Sequence, residues 1–186
     1  MTALPTPSQT VGPFYGYALP FPGGGEIAPA GHRDTIAVHG RVLDGDGEAI
    51  PDALLEIWQP APDGSRTGAP GSLRRDPVTG GFLGRDGVTF TGFGRVATDA
   101  DGHYSLRTLP PGGVPYLSVC LFARGLLHHL FTRIYLPGAD LDAEPLLTSL
   151  EPGRRGTLLA AEEAPGTYRF DLRLQGPEET VFLDFR

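Results

Sequence analysis

The sequence predicts an all-β fold: a single β-sandwich domain of seven to nine mostly antiparallel strands, with long loops and an extended N-terminal arm. Three observations predict it. Apolar residues recur with period two over short runs, as on half-buried strands. The 27 glycines and 19 prolines among 186 residues supply many turns and leave little room for long helices. The runs are short and closely spaced, the pattern of a sandwich and not of alternating strand–helix units.

Taken in order, residues 1–34 read as an arm that is part of the same unit, and residues 35–186 as the sandwich. The stretch MTALPTPSQTVGPFYGYALPFPGGG has neither helical nor strand period. Yet Phe14, Tyr15, Tyr17, Leu19 and Phe21 are too apolar for a tail that stays in water. The arm is therefore expected to dock on its own domain or on a neighbour. In TIAVHGRVL, Ile36, Val38, Gly40 and Val42 alternate with more polar residues and predict the first strand. Asp44-Gly45-Asp46-Gly47 then supplies turn chemistry. Ala53–Gln59 is the next strand, and PAPDGSRTGAPG a long loop. Further strands are expected at HYSLRT, YLSVCLFA, FTRIYL, TYRFDLRL and ETVFLDF, with a weaker candidate at TLLAA. DLDAEPLLTSL has room for a short helix interrupted by Pro145. No second domain boundary and no internal repeat is visible.

Composition narrows the function classes. A net charge of −7 argues against nucleic acid or an anionic membrane as partner. No run approaches membrane-spanning length, and no basic-then-apolar leader opens the chain. The single Cys120 cannot pair within the chain, which suits a reducing cytoplasm.

The piece GRVLDGDGEAIPDALLEIWQ followed by TDADGHYSLRTLPPG is common to many small sandwiches, and alone it would permit a transthyretin-like binding module without catalysis. Three features sharpen it. Thr10-Val11-Gly12-Pro13-Phe14 resembles the N-terminal Thr-x-Gly-Pro-aromatic element of intradiol ring-cleaving dioxygenases. The second strand ends in Glu56-Ile57-Trp58-Gln59, as in that family. LFARGLLHHLFTRIYLPG and the ending YRFDLRLQGPEETVFLDF are similar to the alpha chains of its two-chain members, the protocatechuate 3,4-dioxygenases.

The resemblance implies a non-haem Fe(III) site of two tyrosinates and two histidines, hard anionic and imidazole donors that suit ferric iron. This sequence departs from that set. Alignment on Phe122-Ala123-Arg124-Gly125 puts Tyr116 and Ser118 where the family's His-x-His pair stands. The first ligand tyrosine falls at about Arg66. The loop expected to hold the second is only PPGGVP. The five histidines offer no substitute: His128 and His129 would face opposite sides of a strand, and His32, His39 and His103 show no ligand spacing. The resemblance thus implies no metal in this chain, with Fe(III) held by a partner beta subunit, and a small aromatic substrate, protocatechuate, cleaved with O2.

It also implies that Thr10, Gly12, Pro13 and Phe14 line the substrate side of the partner's site. Gly12 would let backbone approach an aromatic ring, and Pro13 would stiffen that approach. A purely ordered leader is the other reading. Arg124 offers a planar charged donor for a ring carboxylate, or alternatively a salt bridge at the subunit interface. For Arg133 interface pairing is equally plausible. Trp58 and Tyr135 are expected to pack in the core or an interface, and Asp44, Asp46, Asp99 and Asp101 to form turns, with calcium binding a remote option.

Overall fold

The structure, a computed structural model, describes residues 7, 9, 10, 12, 14–68, 73–138 and 141–185. Two sheets pack face to face. The first is built on β1 (Ile36–Leu43), which pairs antiparallel with β6 (His103–Thr108) and parallel with β10 (Thr167–Arg169) and β11 (Leu172–Arg173), β9 (Ala161–Ala164) continuing beyond β10. The second runs β5-β2-β7-β8, all antiparallel, from β5 (Phe93–Ala97), β2 (Leu54–Trp58), β7 (Tyr116–Phe122) and β8 (Leu130–Tyr135). A separate hairpin pairs β3 (Leu73–Arg75) with β4 (Phe82–Arg85). Three short helices complete the described elements: α1 (Tyr15–Ala18), α2 (Pro145–Thr148) and α3 (Pro152–Gly156).

Period two builds the core. Val38 and Val42 of β1 and Tyr104 and Leu106 of β6 face Leu55 and Ile57 of β2, Leu117, Val119 and Leu121 of β7, and Ile134 of β8. All are nearly or fully excluded from water. The turns between β1 and β2 and before β6 close alike: Asp44 Oδ1 accepts from the amides of Asp46 and Glu48, and Asp99 Oδ1 from those of Asp101 and His103. Each aspartate mimics a backbone acceptor, so these acids do form turns.

Several elements differ from expectation. TYRFDLRL is two strands in unbroken register with β1, because the ladder is interrupted at residues 170–171: Asp171 Oδ1, not a backbone carbonyl, accepts from the Arg41 amide at 2.9 Å. ETVFLDF forms one isolated bridge, Phe131 to Leu183, in place of a strand. In TLLAA, Leu159 bridges Tyr135, and regular pairing begins only at Ala161. Pro145 starts α2 instead of interrupting a helix, its missing amide being harmless at the first helical position. The arm is not wholly extended either, since α1 forms within it. Tyr15 and Phe21 are buried against the sandwich, and Ile27 sits in the main core.

Gly40 is the tightest point of the first sheet. A Cβ there would stand 1.8 Å from the Phe170 carbonyl oxygen, which also accepts from the buried Tyr104 hydroxyl at 2.6 Å. Gly40→Ala must therefore push residues 170–171 off β1 and is expected to cost about 3 kcal/mol or more in urea denaturation. Gly153→Ala, on α3 with open space around it, should be neutral or stabilising by about 0.5 kcal/mol.

Candidate functional site

The alternation that buries Leu55, Ile57, Leu117 and Val119 turns their neighbours to the other face of the second sheet. Antiparallel register lines these up in rows. Arg95, Glu56, Cys120 and Phe131 form one row, and Phe93, Trp58, Ser118 and Arg133 the next, with Tyr116 opposite Tyr135 beyond it. In the first row Arg95 Nε donates to Glu56 Oε1 at 2.9 Å while Nη1 donates to the Leu19 carbonyl, tying the chain after α1 to the sheet. Cys120 lies beside this pair. Burial, and secondarily the Glu56 carboxylate, push its thiol up to about 12.

Trp58 and Ser118 of the second row line a cavity of about 380 Å³. Trp58, half exposed and tilted on Phe93 at 4.4 Å between ring centres, lines it with Tyr116, Ser118 and Phe90. The long loop supplies Arg66 and Thr67. Arg133 stacks over the Tyr116 ring, 4.1 Å from its centre, and donates to the Tyr135 hydroxyl. Burial raises the pKa of Tyr135, which keeps it a neutral donor to Glu144.

Three positions that the family resemblance placed at metal ligands, Arg66, Tyr116 and Ser118, thus converge on one cavity. Their chemistry does not fit ferric iron. The lining has a guanidinium, hydroxyls and a phenol, but no carboxylate, imidazole or thiol. Among the described residues no group of three or more His, Cys, Asp or Glu is placed to hold a metal ion. His128 and His129 sit in the connection between β7 and β8, not on a strand, where His129 packs against Phe122 and Phe131. His39 and His103 are not isolated: β1–β6 pairing brings their rings to 5.7 Å, and His39 Nε2 lies 2.9 Å from Glu163 Oε2.

Among the described residues, none that lines this cavity comes from the arm. Thr10 is exposed, Gly12 has φ near +80° with open space where a Cβ would be, and Phe14 is 77% exposed, as is Tyr17 at 87%. Pro13 lies outside the described residues. Arg124 is ion-paired through Nε to Asp52, whose backbone carbonyl accepts from the Tyr15 hydroxyl. Trp58, expected in a core or interface, instead stands in the cavity wall. Sequence reasoning missed the Glu56–Arg95 pair and the role of Asp52. The signal for the first was there, because alternation from Ile57 already puts Glu56 beside Trp58 on the outward face.

Comparison with known proteins places this geometry. A family model described as Dioxygenase matches residues 25–120. The chain is 38% identical to the protocatechuate 3,4-dioxygenase alpha chain of Burkholderia cepacia, over 99% of this chain and all of that one. It is 30% identical to the beta chain of the same enzyme, over 82% of this chain and 68% of that one. Among solved structures, the dioxygenase domain of a carbohydrate-binding fusion from Streptomyces sp. SirexAA-E superposes with a TM-score of 0.56 at 26% identity, covering 92% of this chain and 99% of that one.

A thiol held near 12 carries almost no thiolate at neutral pH, and the thiolate is the reactive form. Cys120 should therefore resist alkylation at pH 8 in the folded chain and react fully in guanidinium. Rapid labelling of the native protein, read by mass spectrometry, would contradict its burial.

Proposed function

The chain belongs to the intradiol ring-cleaving dioxygenase family, and from that premise we propose that it is the alpha subunit of a protocatechuate 3,4-dioxygenase. In this reading a beta subunit holds Fe(III). The assembled enzyme cleaves protocatechuate with O2 to 3-carboxy-cis,cis-muconate in the cytoplasm, as a step of aromatic catabolism. The observation that carries the reading is the donor set of the cavity: the ligand positions are present as a place but not as chemistry. Near-complete coverage of an alpha chain disfavours the alternative of an independent binding module. The likeness to a beta chain supports a partner of the same fold. No described helix is long and apolar enough to cross a membrane.

We assign the arm, residues 1–34, to the contact with beta. Its aromatic residues divide by role. Tyr15 and Phe21 fasten it to this chain, whereas Phe14 and Tyr17 project from it. Thr10, Gly12, Pro13 and Phe14 then line the substrate side of the beta site, with Gly12 in a left-handed conformation that favours glycine. The Arg124–Asp52 pair lies directly under Tyr15, so Arg124 acts through the arm as a positioning residue.

Two outcomes test this. Purified alone from iron-replete cells, the chain should be colourless, inactive and without stoichiometric iron, while co-expression with beta should yield an iron-containing, active hetero-oligomer. Stoichiometric iron with a visible band in the lone chain would overturn the assignment. Second, Phe14→Ser with Tyr17→Ser should change the lone chain's stability by no more than about 0.5 kcal/mol, yet weaken assembly with beta in size-exclusion runs. Unchanged assembly would remove the arm from the interface.

A further inference from the structure

The cavity on the outer face of the second sheet has lost the donors for iron, but it has not collapsed. Its walls are held open by tight backbone contacts. A Cβ on Gly112 would stand 2.1 Å from the Pro62 carbonyl oxygen, and one on Gly92 would stand 2.4 Å from that of Gln59. Ala61 closes the loop by donating to the Ser65 carbonyl and accepting from the Gly64 and Gly112 amides. Residues 61–65, which lead into Arg66, are therefore held against the sheet before any ligand arrives, which lowers the ordering cost of binding.

Its lining selects a ligand class. The chain has 22 acidic residues and a net charge of −7, yet among the described residues no carboxylate lines this cavity. Arg66 is its cation, and among the described residues Arg66 has no ion pair or hydrogen bond. A guanidinium presents a planar fork that matches a carboxylate in bidentate fashion. Beside it the Trp58 and Tyr116 rings offer flat apolar surface, and the Ser118 and Thr67 hydroxyls offer further donors. The volume is at the small end of ligand pockets, and Arg133 already stacks on Tyr116 and stiffens that wall.

We propose that this cavity is a metal-free binding site for a small aromatic carboxylate. The ring lies against Trp58 and Tyr116, and the carboxylate meets Arg66. The site belongs to this chain alone and is separate from the iron-bearing site assigned to beta.

Trp58 is the only tryptophan of the chain, so its emission reports the cavity directly. Titration of the full chain with benzoate should quench or shift that emission saturably. Benzamide, the neutral isostere, should bind roughly ten-fold or more weakly, because the charge-assisted contact is lost. Arg66→Leu should weaken benzoate by a similar factor and leave benzamide unchanged, with circular dichroism verifying its fold. Linear, unsaturable quenching, or equal affinity for benzoate and benzamide, would overturn the proposal without reliance on any variant. On the assembly with beta, calorimetry should count one additional benzoate per alpha chain, lost in Arg66→Leu, and an unchanged count would overturn it there. Failure to assemble with beta would leave the chain's own titration intact, so the two readings fail separately.

Discussion

Strict alternation along β2 and β7 is the constraint on which the rest of the molecule depends. These adjacent strands carry Leu55, Ile57, Leu117, Val119 and Leu121 into the core, and side chains of a strand cannot turn one way without their neighbours turning the other. Glu56, Trp58, Tyr116, Ser118 and Cys120 are outward because the core residues are inward. A slip of one residue between the strands would bury Glu56 and expose Ile57. The burial of about five large side chains, each worth roughly 1.5–3 kcal/mol, holds the register that builds the outer face.

That face then serves two ends. At one row Glu56 and Arg95 neutralise each other with little exposure, and Arg95 spends a further donor on Leu19. A largely buried pair of this kind contributes modestly to net stability, but losing one partner strands the other charge. Its structural effect is positional: it fixes where the chain leaves α1. The contact between Tyr15 and the backbone of Asp52 fixes where the chain enters it, and Arg124 holds Asp52 in turn. Next to these anchors Phe14 and Tyr17 are largely exposed among the described residues, and an exposed aromatic pair on an anchored segment is a surface that favours a partner.

What was legible in the sequence follows from the same physics. β1, β2, β6, β7 and β8 were found nearly to the residue because each has one face in the core, and burial writes period two into the sequence. β9 was not, since AEEA is exposed at every position and pairs only through its backbone. The hairpin of β3 and β4 has no core of its own, and Gly84 in it sits where the Pro22 carbonyl passes too closely for a side chain, as Gly94 of β5 does against Ile27. The break in the ladder at residues 170–171 was invisible because an apolar–polar pattern does not record which acceptor an amide uses. At the site, strand spacing and resemblance together located Tyr116 and Ser118 on one wall. They did not reveal that a cavity persists, because that depends on Gly92 and Gly112 meeting carbonyls distant in sequence.

Persistence of the cavity has an electrostatic corollary. A site for a ferric ion assembles anionic donors around a buried positive charge. Here the positive charge is covalent. Arg66 lines the space, and nothing among the described residues neutralises it. Filling the space with apolar side chains would have been the simpler outcome, since an empty cavity costs about 20–30 cal/mol for each Å³ of lost packing when it stays dry. A polar lining relieves that cost only if water or a ligand occupies it. The hydroxyls of Ser118 and Thr67 and the guanidinium of Arg66 keep the space wet or liganded, and the flat rings of Trp58 and Tyr116 make a planar anion a better occupant than water alone.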